Sequence, residues 1–436
     1  MAVKALAVSA EIGPAEFGGI VFHAGRRAHY HADDQEVPFR SLPHFARFAP
    51  VPGPDHLLLF RPGEPVRLGL VEPSDYWEEA PSVPDHPCAE VLEFLKSPSL
   101  ESVALLLGDV SDCAYMGEAA DVAKRLGIGP RAVEPRSLAA PLDWYRAFKT
   151  RYEVECIREA ARRAARGHAA AREGVLAGAS EREIHAAYLA ASDQLEQETP
   201  YPNIIAWDDR SALLHYQRKR SSPPDPGKSF LIDAGASCNG YASDITRSYV
   251  RAGVHEVFRE ALDRVELLQR QLIGQLEASG SYVDLHASAV RGVGAILGEL
   301  GVLRVSADEA YESRLALPFM PHGLGHHLGL QVHDVGGQQI TREGELQLPP
   351  KEYLSLRTTR DLDVGHVVTL EPGLYFNPLL LDRYRGGAES HAFDWKLIDE
   401  LTACGGIRIE DDLLITELGC ENLSRPWVPG HDPISS

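Results

Sequence analysis

The stretch S-F-L-I-D-A-G-A-S-C-N-G-Y-A-S-D-I-T-R, residues 229–247, constrains the fold more than any other part of the chain. Asn239-Gly240 between two strand-like runs is the strongest short-range hairpin signal, because a two-residue turn needs φ > 0 at both positions. Such a loop sets Asp233 opposite Thr246. Asp244 is then the diagonal neighbour of Asp233 on the same face, about 7–8 Å away. Asp233 also ends the apolar run Phe230-Leu231-Ile232, where a lone carboxylate is costly unless paired or coordinated. Taken singly, aspartates near hairpin turns mostly make local hydrogen bonds. Two of them at the buried base of one hairpin suggest a shared cation.

Two later runs repeat the oddity. V-V-T-L-E-P-G places Glu371 at the end of an apolar strand, and Pro372-Gly373 forces a turn there. In G-I-R-I-E-D-D-L-L-I, alternation puts Ile407 and Ile409 on one face and Arg408, Glu410 and Asp412 on the other. An exposed Arg408–Glu410 salt bridge would be worth little. The alternative is a site with acids for metal and a cation for the negative end of a substrate. Four carboxylates on sheet positions, joined to a histidine-rich loop, form the constellation of a two-metal hydrolytic site, whose ions sit ~3.5–4 Å apart. One imidazole among carboxylates is a hard donor set, which favours Mn²⁺ over a structural zinc.

The histidine loop is P-H-G-L-G-H-H-L-G-L-Q-V-H-D, residues 321–334. Its glycines make it a poor helix, and the H-E-x-x-H arrangement of helical zinc sites is absent. If the segment is extended, His326 and His327 point to opposite faces and one of them enters the site. Local reasoning does not choose between them. His333, just before Asp334, reads equally well as a core histidine held by a carboxylate.

Around these motifs the chain divides at about residue 146. Before it, G-G-I-V-F, H-L-L-L-F, V-R-L-G-L-V and S-V-A-L-L-L-G (102–108) read as strands, and D-V-A-K-R-L-G (121–127) as a helix, giving a small α/β domain over 1–146. From Thr150 a long alanine-rich helix begins. A second follows the capping box of Ser180 and Glu183, and a third spans about 254–276. Helices mixed with hairpin-linked strands predict an α+β domain over 147–436.

The chain has 436 residues and a formal net charge of −20. That charge argues against nucleic acid and anionic membranes as partners. No apolar run approaches the ~18 residues of a membrane span. A-V-K-A-L-A-V-S-A is short for a signal-peptide core. The six cysteines form no C-x-x-C pair. Scattered thiols suit a reducing compartment, so the expectation is a cytoplasmic protein.

The motifs D-A-G, N-G-Y-A-S-D-I-T-R, F-M-P-H-G-L-G-H-H-L-G-L-Q-V-H-D-V-G-G, E-P-G-L-Y-F and G-G-I-R-I-E-D occur in order, with D-D-Q-E-V-P-F (33–39), D-Y-W (75–77) and T-P-Y-P-N (199–203). Together they resemble the bacterial prolidases, Xaa-Pro dipeptidases of the pita-bread metallopeptidase class, which include organophosphorus acid anhydrolase. The resemblance implies a small N-terminal α/β domain followed by a creatinase/methionine aminopeptidase-like domain. It implies two divalent ions per subunit, most simply Mn²⁺, with Co²⁺ or Zn²⁺ as alternatives. Asp233 would chelate one ion, Asp244 and Glu410 would bridge, and His326 and Glu371 would complete the second. Among the loop histidines the resemblance thus selects His326, with His322 and His333 as donors to substrate and intermediate. His215, Arg360 and Arg408 match residues that handle the dipeptide carboxylate or the oxyanion. Tyr201, Leu214 and Tyr282 match pocket walls. In the family the small domain of one subunit closes the other's site, so Asp34 and Trp77 would act across a homodimer.

The implied reaction is hydrolysis of dipeptides ending in proline by a metal-bridging hydroxide. Glu371 would carry a proton to the leaving nitrogen. Organophosphate esters would be side substrates. Two other readings compete: an Xaa-Pro aminopeptidase acting on longer peptides, and a non-catalytic pita-bread binding module. The filled ligand positions weigh against the second.

Overall fold

The structure, a computed structural model, describes residues 16–73, 76 and 90–430. The described chain forms two compact units, one running up to Arg146 and including Thr341–Glu345, the other holding the rest.

The first unit is built on a mixed sheet of β1 (Ile20–His23), β2 (Leu57–Phe60), β3 (Val66–Val71), β4 (Leu92–Ser97) and β5 (Ala114–Met116), in the order β4-β3-β2-β1-β5. The central strands β1 and β2 are buried on successive residues because both faces are covered. Ile20, Phe22, Leu58 and Phe60 join a cluster with Phe45 and Phe48, whereas Val21, Leu57 and Leu59 pack with Val103, Leu107 and Val122 on the other side. The run at 102–108 is not a strand. It lies in a helix, Leu100–Leu107, started by the Ser99 side chain, which accepts from the Ser102 N–H. That cap, the leucines and alanine, and the i, i+4 pair Val103 and Leu107 on the buried face outweigh the short apolar run that suggested a strand.

In the second unit the helix Arg151–Ala177 starts at a capping box of Thr150 and Glu153 and stops at Gly178 in the left-handed conformation. The helix Glu181–Ser192 starts at the box of Ser180 and Glu183. Three strands, β6 (Ile204–Trp207), β7 (Ser229–Asp233) and β10 (Thr246–Val250), form an antiparallel sheet in the order β10-β7-β6. Between β7 and β10 run the short strands β8 (Ser237–Cys238) and β9 (Tyr241–Ala242). Asn239 and Gly240, with φ of 50° and 83°, make the turn, and Cys238 faces Tyr241. The same register carries down the hairpin, so Thr246 pairs with Asp233.

The remaining strands are β11 (Val367–Leu370), β12 (Gly373–Tyr375), β13 (Gly406–Arg408), β14 (Asp411–Thr416) and β15 (Gly419–Asn422). A large apolar core joins their inner residues to the helices Glu256–Ile273 and Tyr282–Glu299. A single bridge, Thr246 to Glu410, links the hairpin to the segment between β13 and β14. That junction brings the acidic residues together.

Candidate metal centre

Asp244, His326 and Glu410 are buried, and their ligand atoms lie within 4.8 Å of one another. His326 Nε2 is 3.4 Å from Asp244 Oδ2 and 3.9 Å from Glu371 Oε1. Asp233 enters from the paired strand and takes a 2.5 Å bond from Arg408 Nη2. Arg408 Nε is also 4.0 Å from Glu371 Oε2. The five residues proposed as ligands on resemblance therefore converge on one place.

Backbone pairing decides which loop histidine faces it. The Thr369 N–H donates to the His326 carbonyl and the Glu371 N–H to the Leu324 carbonyl, so the loop runs beside β11. His327 bridges to Val368 and turns its ring away, against His366. Gly325 permits this approach: a Cβ there would lie 2.2 Å from the Thr369 carbonyl oxygen and 2.3 Å from the Tyr282 hydroxyl. His326 Nδ1 bonds the His327 carbonyl at 3.0 Å. A carbonyl only accepts, so Nδ1 carries a proton, and Nε2 is the nitrogen turned to the carboxylates, a donor to Asp244 when protonated and a ligand for a cation when not.

The electrostatics favour a cation. Burial pushes Glu371 up to about 7, with Asp244 and Asp233 adding to the push against His326 and Arg408. Burial first, then neighbouring acids, also raise Glu410 and Asp233. His326 is raised despite burial by its bond to Asp244. One oxygen of Asp233, Oδ1, is buried without a hydrogen-bond partner. Acids repelling one another, an imidazole nitrogen turned towards them and an orphaned oxygen suit divalent cations.

A relay borders the cluster. His322 Nδ1 donates to the Gly323 carbonyl (2.8 Å), which leaves Nε2 to accept from the Tyr375 hydroxyl at 3.0 Å. Tyr375 accepts in turn from Arg408 Nη1 at 2.7 Å. Burial, with Arg408 nearby, holds His322 down at about 3, so the ring is neutral. His333 packs edge-on against the His326 ring at 4.5 Å. Burial, with His326 and Arg357 nearby, lowers it to about 4, and His215 lies close enough to oppose its charge as well.

The other expected residues divide between the neighbourhood of the acids and other parts of the fold. Tyr201 is half-buried, and burial with Asp233 and Asp244 raises its phenol. Leu214 is half-buried beside the exposed His215. Tyr282 is fully buried and donates to the Thr369 carbonyl (2.7 Å), so it is a strut behind the loop rather than an open wall. Arg360 pairs with Asp363 at 3.2 Å and lies over the Phe148 ring. Its side is that of His327 and His366, whose protonation it opposes. Arg357, three residues earlier, is the exposed guanidinium beside His333. Asp34 is exposed in the first unit, and Trp77 lies outside the described residues.

Three supporting residues were given no role by the sequence reading. Thr246 donates to Glu410 Oε2 at 2.6 Å, Tyr375 joins the relay, and Asp412 accepts the Asp244 N–H. Thr246 and Asp412 were findable, since register and alternation put them on the acidic face. Tyr375 carried no local signal.

Residues 155–417 match the metallopeptidase family M24, and residues 6–144 the Xaa-Pro dipeptidase N-terminal domain. The Xaa-Pro dipeptidase of Shewanella amazonensis is 39% identical over 93% of this chain and 92% of its own length. That of Glaesserella parasuis is 36% identical over 94% and 93%. Among solved structures, Pseudomonas aeruginosa aminopeptidase PepP superposes with a TM-score of 0.75 at 21% identity, covering 99% of this chain and 96% of that one. A variant of Escherichia coli aminopeptidase P in complex with substrate gives 0.75 at 25% identity, with 98% and 94% covered. The pairing of domains, the pita-bread fold and the relatives agree: the chain belongs to metallopeptidase family M24, among the bacterial Xaa-Pro dipeptidases, or prolidases.

Proposed function

We propose that this chain hydrolyses dipeptides at the bond before a C-terminal proline, with two divalent ions held by Asp233, Asp244, His326, Glu371 and Glu410. The observation that carries this is the convergence of four acids and one imidazole nitrogen beside the Arg408 guanidinium. Bound ions would supply Lewis acidity and ease proton loss from water at neutral pH. The oxygen-rich set favours manganese.

The chain's own groups do the rest. Glu371 has the most exposed side chain of the four acids, at 18%. It is the group placed to carry a proton to the leaving nitrogen, which has no hydrogen of its own in an Xaa-Pro bond. Arg408, fixed by Asp233, Thr246 and Tyr375, holds positive charge where the carbonyl oxygen becomes anionic. His322 and His333 flank that position. Restriction to dipeptides needs a cation for the proline carboxylate, and the exposed Arg357 takes the role that resemblance gave to Arg360. A homodimer, with Asp34 and Trp77 reaching the partner's site, and a cytoplasmic setting belong to the same reading. They rest on the resemblance and, for the setting, on the scattered thiols. Organophosphate esters would be side substrates, because tetrahedral phosphorus resembles the intermediate.

Proline release from Gly-Pro and Ala-Pro, measured after metal stripping and after Mn²⁺ addition, tests this directly. Metal-dependent dipeptide cleavage is expected. Faster cleavage of Xaa-Pro tripeptides would make the chain an aminopeptidase, and no cleavage with metal bound would make it a binding module. Glu371→Gln should lower turnover by orders of magnitude, and near-normal turnover would remove the proton-carrying role.

A further inference from the structure

The turn of the metal-bearing hairpin meets the long helix at two cysteines that the proposed chemistry does not use. Cys156 is buried on the helix Arg151–Ala177, 4% exposed, and Cys238 is half-buried at the end of β8. Backbones of this helix and β8 come within 8 Å between Cα atoms, and Asn239, next to Cys238 in the chain, reaches the Cys156 sulfur. Asn239, the first turn residue, bonds both the Cys156 sulfur (3.8 Å) and the Tyr152 hydroxyl (3.1 Å) through Nδ2. Tyr241, facing Cys238 across the turn, donates to Glu153 at 3.0 Å and packs edge-on against Tyr152. The segments that carry the two thiols are thus tied together by contacts on both sides of the turn.

Their environments differ. Cys238 is drawn down to about 7, chiefly by the hydrogen bond from Cys156 and helped by Arg163, against burial and Glu159. Arg163 also bonds the Ser237 carbonyl at 3.3 Å, which fixes it beside the strand. Cys156 is raised, first by its bond to Cys238 and then by burial. One sulfur is therefore a partly exposed nucleophile and the other a shielded partner, the pairing expected of a reactive and a resolving cysteine.

We propose that Cys156 and Cys238 form a peroxide-oxidised dithiol site that locks the hairpin turn to the long helix. The Cys238 thiolate attacks hydrogen peroxide: a sulfur–oxygen bond forms, the oxygen–oxygen bond breaks, and hydroxide leaves. Sulfur gives up two electrons and the peroxide gains them. Cys156 then attacks the sulfenic sulfur, and its proton leaves with the hydroxyl as water. In sum, two thiols and one peroxide give one disulfide and two waters.

The test is stoichiometric peroxide on the purified full-length protein, followed by alkylation under denaturing conditions and peptide mass spectrometry. Two of the six thiols should disappear, recovered as one Cys156–Cys238 peptide pair and restored by a dithiol reductant. Cys156→Ser should leave a sulfenic acid on Cys238 that dimedone captures, whereas Cys238→Ser should leave Cys156 unmodified. Oxidation of Cys238 without linkage to Cys156, or earlier oxidation of Cys420, Cys113 or Cys404, would overturn the proposal. This readout needs neither metal nor peptidase activity.

Discussion

Glu410 and Asp411 are chain neighbours on opposite faces of one strand segment, and the protein treats them in opposite ways. Asp411 accepts from Arg247, Gln269, Asn422, Ser424 and Arg425. Despite complete burial it is held below the usual carboxylate range by Arg247 and Arg425. Arg247 is equally saturated, since its remaining N–H groups meet the carbonyls of Thr246, Glu410, Val428 and Pro429. Glu410 has one hydroxyl, Thr246, and faces other acids that raise it. Burial costs are thus met by protein groups on one face and left open on the other. The lesson is that an acid's function shows in what the fold withholds from it.

Substitutions on the two faces should separate cleanly. Asp244→Asn and Glu410→Gln are expected to weaken Mn²⁺ binding by more than the ~10–100-fold cost of losing an outer partner. Turnover should fall with binding, while melting of the metal-free protein holds steady or rises because repulsion is relieved. Calorimetric titration and thermal melts in chelator check both halves, and a large drop in metal-free stability would collapse the contrast.

Asp411→Ala should do the reverse. It strands Arg247 and Arg425 beside buried backbone, at a cost of about 3–5 kcal/mol seen in denaturant melts without metal. Mn²⁺ at a hundredfold excess over its dissociation constant should add about 2.7 kcal/mol to the wild-type protein. Glu410→Gln should gain far less, and equal gains would move the ions elsewhere.

A second pair sharpens the substrate side. Arg357→Ala should lower kcat/KM for Gly-Pro by ~10–100-fold, the worth of a charge-assisted contact. Arg360→Ala should instead lower the melting temperature while changing KM little. The opposite pattern would return the carboxylate to Arg360.

Smaller is a pH effect away from the acids. His168 and His286 are buried and held neutral, at about 3 and 4, chiefly by burial. The unfolded chain takes up these protons near 6.5 and the folded chain does not. Stability is therefore full above that pH and declines below it, by up to about 1.4 kcal/mol per pH unit for each ring. His286→Gln should flatten the slope between about pH 6 and pH 4 in equilibrium melts.

Much of the acidic face was legible because strands have a rigid two-residue period. Once Asn239-Gly240 fixed the turn, Asp233, Asp244 and Thr246 followed, and alternation placed Arg408, Glu410 and Asp412 together. What stayed hidden depended on long-range pairing. The choice between His326 and His327 is made by β11, forty residues on in the chain. Arg357 and Arg360 differ in direction because Asp363 and Phe148 claim the latter. The helix at 100–107 shows local capping overriding an apolar run.

The hydrogen in place of a side chain at residue 325 has a consequence for how this protein can change. Alanine there would have to push apart the loop and β11 or displace the Tyr282 hydroxyl, and His326 would move with the loop. Drift at that position therefore has no gradual intermediate. A side chain at 325 would therefore unseat the proposed imidazole ligand unless β11 and Tyr282 shifted with it.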